Sequence, residues 1–175
     1  MNRRWDVLRT NEGAARLFGF LLGERAASLP PNLVKMMLHP DAVRPYVANW
    51  EVVAETLVRR LQREAASGAK DDGVAKLLDE VMQYPGIPQR WSRQNRETPL
   101  VPVIAIQFQR GDIAFHFFST ITTLGTPQDI TLQEVHIECA FPADALTEQH
   151  ARRLAAGELS AAPLQHPSGQ VSASD

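Results

Sequence analysis

Five histidines, one cysteine and a serine set in an apolar run carry most of the reactive chemistry in this 175-residue chain. His39, His116, His136, His150 and His166 are scattered, with no pair at i,i+4 to put two imidazoles on one helical face. His136 and Cys139 are three apart, which on a strand places them on opposite faces. A metal centre needs ligands that converge, so solvated or loosely paired histidines are expected, with no metal site and no cofactor. Ser119 lies between Phe117 and Ile121 on the apolar face of a strand pattern. As a nucleophile it would need a base within hydrogen-bond reach. It reads more simply as a small polar residue bonded to backbone or lining a pocket. Nothing matches a nucleophile elbow or a glycine-rich phosphate loop. Acid–base chemistry would need an acid or base on an inward strand face. Glu134, His136 and Glu138 alternate with Val135, Ile137, Cys139 and Phe141, and that alternation points the polar three outward. An enzyme is therefore not expected.

A second group of residues suggests binding. Met36, Met37, Trp50, Leu57, Met82, Phe115, Phe117, Ser119 and Ile121 are candidates for the lining of an apolar pocket. Methionine suits such a lining because it is unbranched and polarizable. The simpler alternative is that these side chains fill a core, and spacing does not separate the two. Arg93 and Arg96, in a polar connection, are candidate anchors for a ligand carboxylate.

The elements that must position these residues follow from periodicity. Trp5, Val7 and Leu8 suggest a short strand. Asn11 is a cap for a helix with Ala14, Leu17, Phe18 and Leu21, and Gly23 is its stop. Asn32 caps a short helix with Leu33, Met36 and Met37. Asp41 is a candidate cap for another with Val43, Tyr46 and Val47, which Pro45 limits to a turn or two. Asn49 is the expected cap of the best helix, striped by Trp50, Val53, Ala54, Leu57, Val58 and Leu61, with Glu55 and Arg59 paired at i,i+4. A loop over 66–73 leads to a helix with Val74, Leu77, Leu78, Val81 and Met82, ended by Tyr84 to Pro88. Residues 89–99 form a polar connection. Three strands follow. Ile104, Ile106 and Phe108 share a face of the first, and Arg110-Gly111-Asp112 turns the chain. Ile113, Phe115, Phe117, Ser119 and Ile121 share a face of the second. Gly125-Thr126-Pro127 lies in the link to the third strand. Asp144 caps a last helix through Leu154, and the Ala-, Ser- and Pro-rich residues 157–175 read as a disordered tail.

Helices followed by an antiparallel sheet make an α+β domain. One cysteine excludes an internal disulfide framework and fits a reducing compartment. No apolar run reaches a membrane span's length and no leader pattern is visible, so a cytoplasmic protein with no membrane partner is expected. Net charge is −2, distributed as +4 over residues 1–70 and −6 over 71–175. That balance does not suggest nucleic-acid binding by this chain.

The order Trp5-Asp6-Val7-Leu8, Asn11 and Ala14-Ala15, then Leu33 to Leu38, then Trp50-Glu51-Val52-Val53-Ala54 resembles the MmyB-like ligand-binding domain of bacterial transcription regulators. Thr122-Thr123-Leu124-Gly125-Thr126-Pro127-Gln128-Asp129 resembles a subgroup of that family. The resemblance runs from about residue 3 to 155. It implies a PAS-like antiparallel sheet with helices packed over one face, a fatty acid held between helices and sheet, and an N-terminal helix-turn-helix domain of the xenobiotic-response-element type. No such domain precedes Trp5, and the family's first strand would lie before Arg3. DNA binding is therefore not carried over to this chain. The expectation is a sensor over residues 1–156, either of a truncated regulator or standing alone. The alternative is a protein-interaction or homodimerisation module with a filled core, in which exposed aliphatic residues of the 11–22 helix face a partner.

Overall fold

Five α-helices, three short 3-10 turns and one three-stranded sheet make up the described residues of this computed structural model, 1–66, 72–92, 103–123 and 135–159. Helix α1 spans Glu12–Leu22. The Asn11 side chain accepts from the Ala14 backbone N–H at 2.8 Å, and Gly23, at φ 60°, ends the helix as a left-handed residue. Helix α2 spans Leu33–Leu38 and is capped by Asn32, which accepts from the Lys35 N–H. Helix α3, Trp50–Ala66, buries Val53, Ala54, Leu57, Val58 and Leu61 and carries the Glu55–Arg59 pair at 2.6 Å. Helix α4 spans Gly73–Val81. Helix α5 spans Ala145–Ala155, and Asp144 caps it by accepting from the Thr147 N–H at 2.7 Å. Each of these stripes buries its apolar face in one continuous core.

The sheet is antiparallel in the order β1 (Val103–Arg110), β2 (Ile113–Thr123), β3 (His136–Pro142). Gly111, at φ 56°, supplies the positive φ that a two-residue hairpin turn needs. The helices cover one face, where Ile104, Phe108, Phe115, Phe117 and Ser119 are buried. The other face leaves Val103, Phe118, Ile137 and Phe141 exposed.

Four local expectations give way to tertiary contacts. Asn49 does not cap α3 with its side chain. Its amide instead pairs with the free edge of β1, donating to the Ala105 carbonyl at 2.8 Å and accepting from the Gln107 N–H at 3.0 Å. Unsatisfied strand-edge groups outcompete the helix end for that amide. Asp41 caps nothing, and the residues after it form only a 3-10 turn, Arg44–Tyr46. Trp5 to Leu8 is not a strand. Asn2 accepts from both the Arg4 and Asp6 N–H groups, and Trp5 is held at φ 66°. The aliphatic residues of α1 do not face outward, because Leu17, Phe20, Leu21 and Leu22 are buried in the core.

The largest correction concerns β3. Its register pairs Ser119 with Ala140, Ile121 with Glu138 and Thr123 with His136. Glu138 and His136 therefore share the inner face with Ser119 and are half-buried, while Ile137 and Phe141 point outward at 43% and 45% exposure. The alternation was legible, but its polarity is the reverse of that expected. His136 and Cys139 do lie on opposite faces.

Candidate functional site

Pairing and packing hold the inner face of the sheet in place. The segment Val47 to Asn49 covers the β1 edge, with a bridge from Val47 to Phe108 and an Ala48 N–H to Gln107 carbonyl bond of 2.7 Å. Beyond the end of β3, α5 covers the β2 edge: Thr147 Oγ1 accepts from the His116 N–H, and His150 Nδ1 donates to the Ala114 carbonyl, each at 2.8 Å. Met1 and Asn2 line the edge of β3. The Met1 amine donates to the His136 carbonyl at 2.9 Å, the Met1 carbonyl accepts from the His136 N–H at 2.8 Å, and Asn2 bridges Val135.

At the end of the inner face near the hairpin, rings meet rings. Phe115 stacks on Phe117 with centroids 5.9 Å apart, and Phe20 of α1 and His150 of α5 meet Phe115 edge-on at 5.9 and 5.8 Å. At the other end the character changes. Ser119 is 1% exposed, and its Oγ makes no well-formed hydrogen bond among the described residues, although it lies near enough to Glu138 to act on that carboxyl. The Nη1 of Arg60 and the Nδ1 of His136 are likewise buried without a partner. A buried polar atom left unpaired costs free energy, and such atoms are uncommon in folded proteins.

Charges gather around these atoms. Burial pushes the Glu138 carboxyl up, against the opposing pull of the adjacent Ser119 hydroxyl and of Arg60. Burial also pushes Glu64 up, tempered first by a 2.8 Å hydrogen bond from Trp5 Nε1 and then by Arg60 and Arg3. Burial holds His136 down, reinforced by the N-terminal amine, Arg60 and Arg3. The guanidinium of Arg60 also lies 5.9 Å from the Trp5 ring centroid. Trp5, 1% exposed and in a left-handed conformation, closes this corner. A bulky residue held there indicates strain that the surrounding contacts maintain.

The arrangement is not a nucleophile with its base. Ser119 and His136 lie opposite positions four residues apart on β2, about 13 Å along the strand, with Glu138 between them. His116 and Asp144 bond at 2.9 Å, but both are exposed, and Asp144 is occupied as a helix cap. Accepting from the Thr147 N–H is the main cause that lowers its carboxyl. No cluster of three metal-ligating side chains exists among the described residues. The partnerless atoms suit binding of a polar group within a largely apolar surface.

Residues 1–154 match the MmyB-like transcription regulator ligand binding domain. The chain belongs to this family. No curated protein and no solved structure matches it. As an MmyB-like domain it is a ligand-binding regulatory domain of the transcription-regulator class, which points away from an enzyme. No helix among the described residues is long and apolar enough to cross a membrane.

The sequence-derived candidates distribute unevenly over this MmyB-like domain. Phe115, Phe117, Ser119 and Ile121 share the inner face of β2, and Leu57 is buried on α3. Met37 and Met82 are buried in the core and Met36 packs against it. Trp50 sits at the start of α3 with the Arg44 guanidinium 3.7 Å from its ring centroid. Arg93, Arg96 and the Gly125-Thr126-Pro127 link lie outside the described residues. Arg60, Glu64, His136 and Glu138 were missed. A signal existed for two of them: Val53, Leu57, Arg60 and Glu64 follow at four-, three- and four-residue steps. The buried stripe of α3 therefore continues into charge.

Proposed function

We propose that this domain holds a small apolar ligand, a fatty acid in the reading the family resemblance favours, between α3 and the inner face of a PAS-like sheet. Leu57, Phe117, Ser119 and Ile121 would line it, with Met36, Met37, Trp50, Met82 and Phe115 in the walls behind. Occupancy would pass to a helix-turn-helix DNA-binding domain of a bacterial regulator. The observation that carries this reading is family membership over residues 1–154. Buried polar atoms without a well-formed hydrogen bond, Ser119 Oγ and His136 Nδ1, on the face that Phe115, Phe117 and Ile121 share support it. Each methylene of an acyl chain transferred from water into such a surface contributes about 0.8 kcal/mol. The pairing of Met1 and Asn2 with β3 gives a physical route outward, since the strand that carries Glu138 also holds the N-terminal residues. The ligand switches the domain only if it binds one packing better than another. Native mass spectrometry with lipid extraction of the purified protein tests this. A co-purifying lipid, or a melting temperature raised by added fatty acids, is expected. No lipid together with no thermal shift would overturn the reading.

A second reading, a dimerisation module, is favoured by the outer sheet face. Phe118 and Phe141 stack there with centroids 5.2 Å apart, beside exposed Ile137 and Val103. Sedimentation that depends on protein concentration, is unaffected by fatty acid and is abolished by Phe141→Ser would favour it.

A further inference from the structure

The first six residues tie the sheet to three helices. On the sheet side, the Met1 carbonyl accepts from the His136 N–H at 2.8 Å, and Asn2 bridges Val135. On the helical side, Trp5 Nε1 donates to Glu64 of α3 at 2.8 Å, and the Trp5 carbonyl accepts from the Leu33 N–H of α2 at 2.9 Å. Asn32, which caps α2, donates to the Arg4 carbonyl at 2.8 Å. The Arg4 side chain lies so close over Gly73 of α4 that a Cβ there would meet its Nε at 2.6 Å. Only Arg3 and Arg4 separate Asn2 from Trp5, and this short link is tightly turned. Asn2 Oδ1 accepts from the Arg4 and Asp6 N–H groups at 2.9 Å each, and the Asn2 carbonyl accepts from the Trp5 N–H at 3.0 Å. Trp5 at φ 66° carries backbone strain.

The tie bears on access because the inner face is already covered. Ile104, Phe108, Phe115, Phe117 and Ser119 are all buried, so an acyl-sized ligand enters only if helices and sheet part. Helix α3 is held to the sheet at both ends. Asn49, just before it, pairs with the β1 edge, and Glu64, near its end, is joined through Trp5 to the residues along β3. The strained residue belongs to the second tie.

We propose that residues 1–6 form a clasp that holds the inner face closed, and that a ligand is admitted when the clasp lets go and α3 lifts at its Glu64 end. This rests on the reading above that an apolar ligand occupies the inner face, and it adds what controls entry. If only molecules with an open clasp bind, the apparent affinity is reduced by the open fraction. Loosening the clasp therefore tightens binding, and by linkage a bound ligand opens the clasp.

Asn2→Ala removes the side-chain bonds that hold the turn and leaves every inner-face residue in place. Hydrogen exchange on the full chain is followed at the His136 and Leu33 N–H groups, which bond to Met1 and Trp5. Both are expected to exchange about tenfold faster in the variant, the range for losing one or two hydrogen bonds. Calorimetry with dodecanoic acid should show the variant binding more tightly, by up to the same factor. A purely structural role for Asn2 would weaken binding instead. In the unaltered protein, bound dodecanoic acid should speed exchange at the same two amides. Exchange there that is unchanged or slowed by bound ligand overturns the clasp and leaves the ligand site standing. So does a variant with faster exchange that binds no more tightly. Binding to neither protein overturns the reading beneath as well. The exchange measurement with ligand needs no variant, so misfolding of Asn2→Ala does not spare the proposal.

Discussion

The inner face of the sheet has two ends of opposite character. Around Phe115 the side chains of three elements interlock, with Phe20 from α1 and His150 from α5 both edge-on to one ring. Around Ser119 and His136, polar side-chain atoms are buried without a well-formed hydrogen bond, beside the half-buried Glu138. Both ends lie on β2, and Phe115 and Ser119 are equally buried there, so burial of that strand does not separate them. What differs is whether each group finds a complementary partner within the chain. The first end draws its stability from packing. The second carries the cost of buried polar atoms without a well-formed hydrogen bond.

Substitutions at the two ends should therefore behave differently. Phe115→Ala removes a fully buried ring and leaves a cavity, and urea denaturation should show a loss of about 3–5 kcal/mol. A loss below about 1 kcal/mol would mean that end is not close-packed and would erase the contrast. Glu138→Gln should have a smaller effect that depends on pH. Because burial raises this carboxyl above its ordinary 4.5, the folded state holds the proton more tightly than the unfolded chain. Stability is then lost as pH rises from the ordinary value through the raised one. The variant should lose less stability than the unaltered protein between pH 4 and neutrality, followed by thermal melts across pH. Glu64 retains a shift of the same sign in both proteins. Parallel pH profiles would show that Glu138 is not the costly group. Ser119→Ala should do least, within about 0.5 kcal/mol in the ligand-free protein, because its hydroxyl makes no well-formed hydrogen bond to lose. A loss of about 1.5 kcal/mol or more would show that the hydroxyl is paired within the fold.

The exposed sheet face sharpens the same contrast. Ile137 and Phe141 are the residues a strand normally buries, yet they point outward so that Glu138 and His136 can point in. Shifting a strand by one residue exchanges its faces. A register that turns two apolar residues to solvent and a carboxyl inward gives up hydrophobic burial. That choice agrees with a role for the inner polar groups.

Much of the helical layer could be read locally. Asn11, Asn32 and Asp144 cap their helices because a short polar side chain reaches its own N–H groups two or three residues on, whatever surrounds it. Gly23 ends α1 and Gly111 turns the hairpin because positive φ favours residues without a Cβ. The alternation of β1 and β2 also showed which residues share a face. The site was less legible. Ser119 was found by its place among apolar residues. Arg60 and Glu138 were not, because the charge of Arg60 acts on Glu138 from a position 78 residues away in the chain.

By itself, then, the sequence determined what adjacent residues settle among themselves: helix caps, buried stripes, the hairpin turn, the α+β order and the family. Only the tertiary structure decided which face of β3 turns inward, that Asn49 serves a strand edge rather than a helix end, and that Ser119 is buried on the face that Glu138 and His136 share. Period-two alternation defines two strand faces but does not say which is inside. That depends on the register against β2 and on the N-terminal residues along the outer edge, contacts that no local pattern encodes.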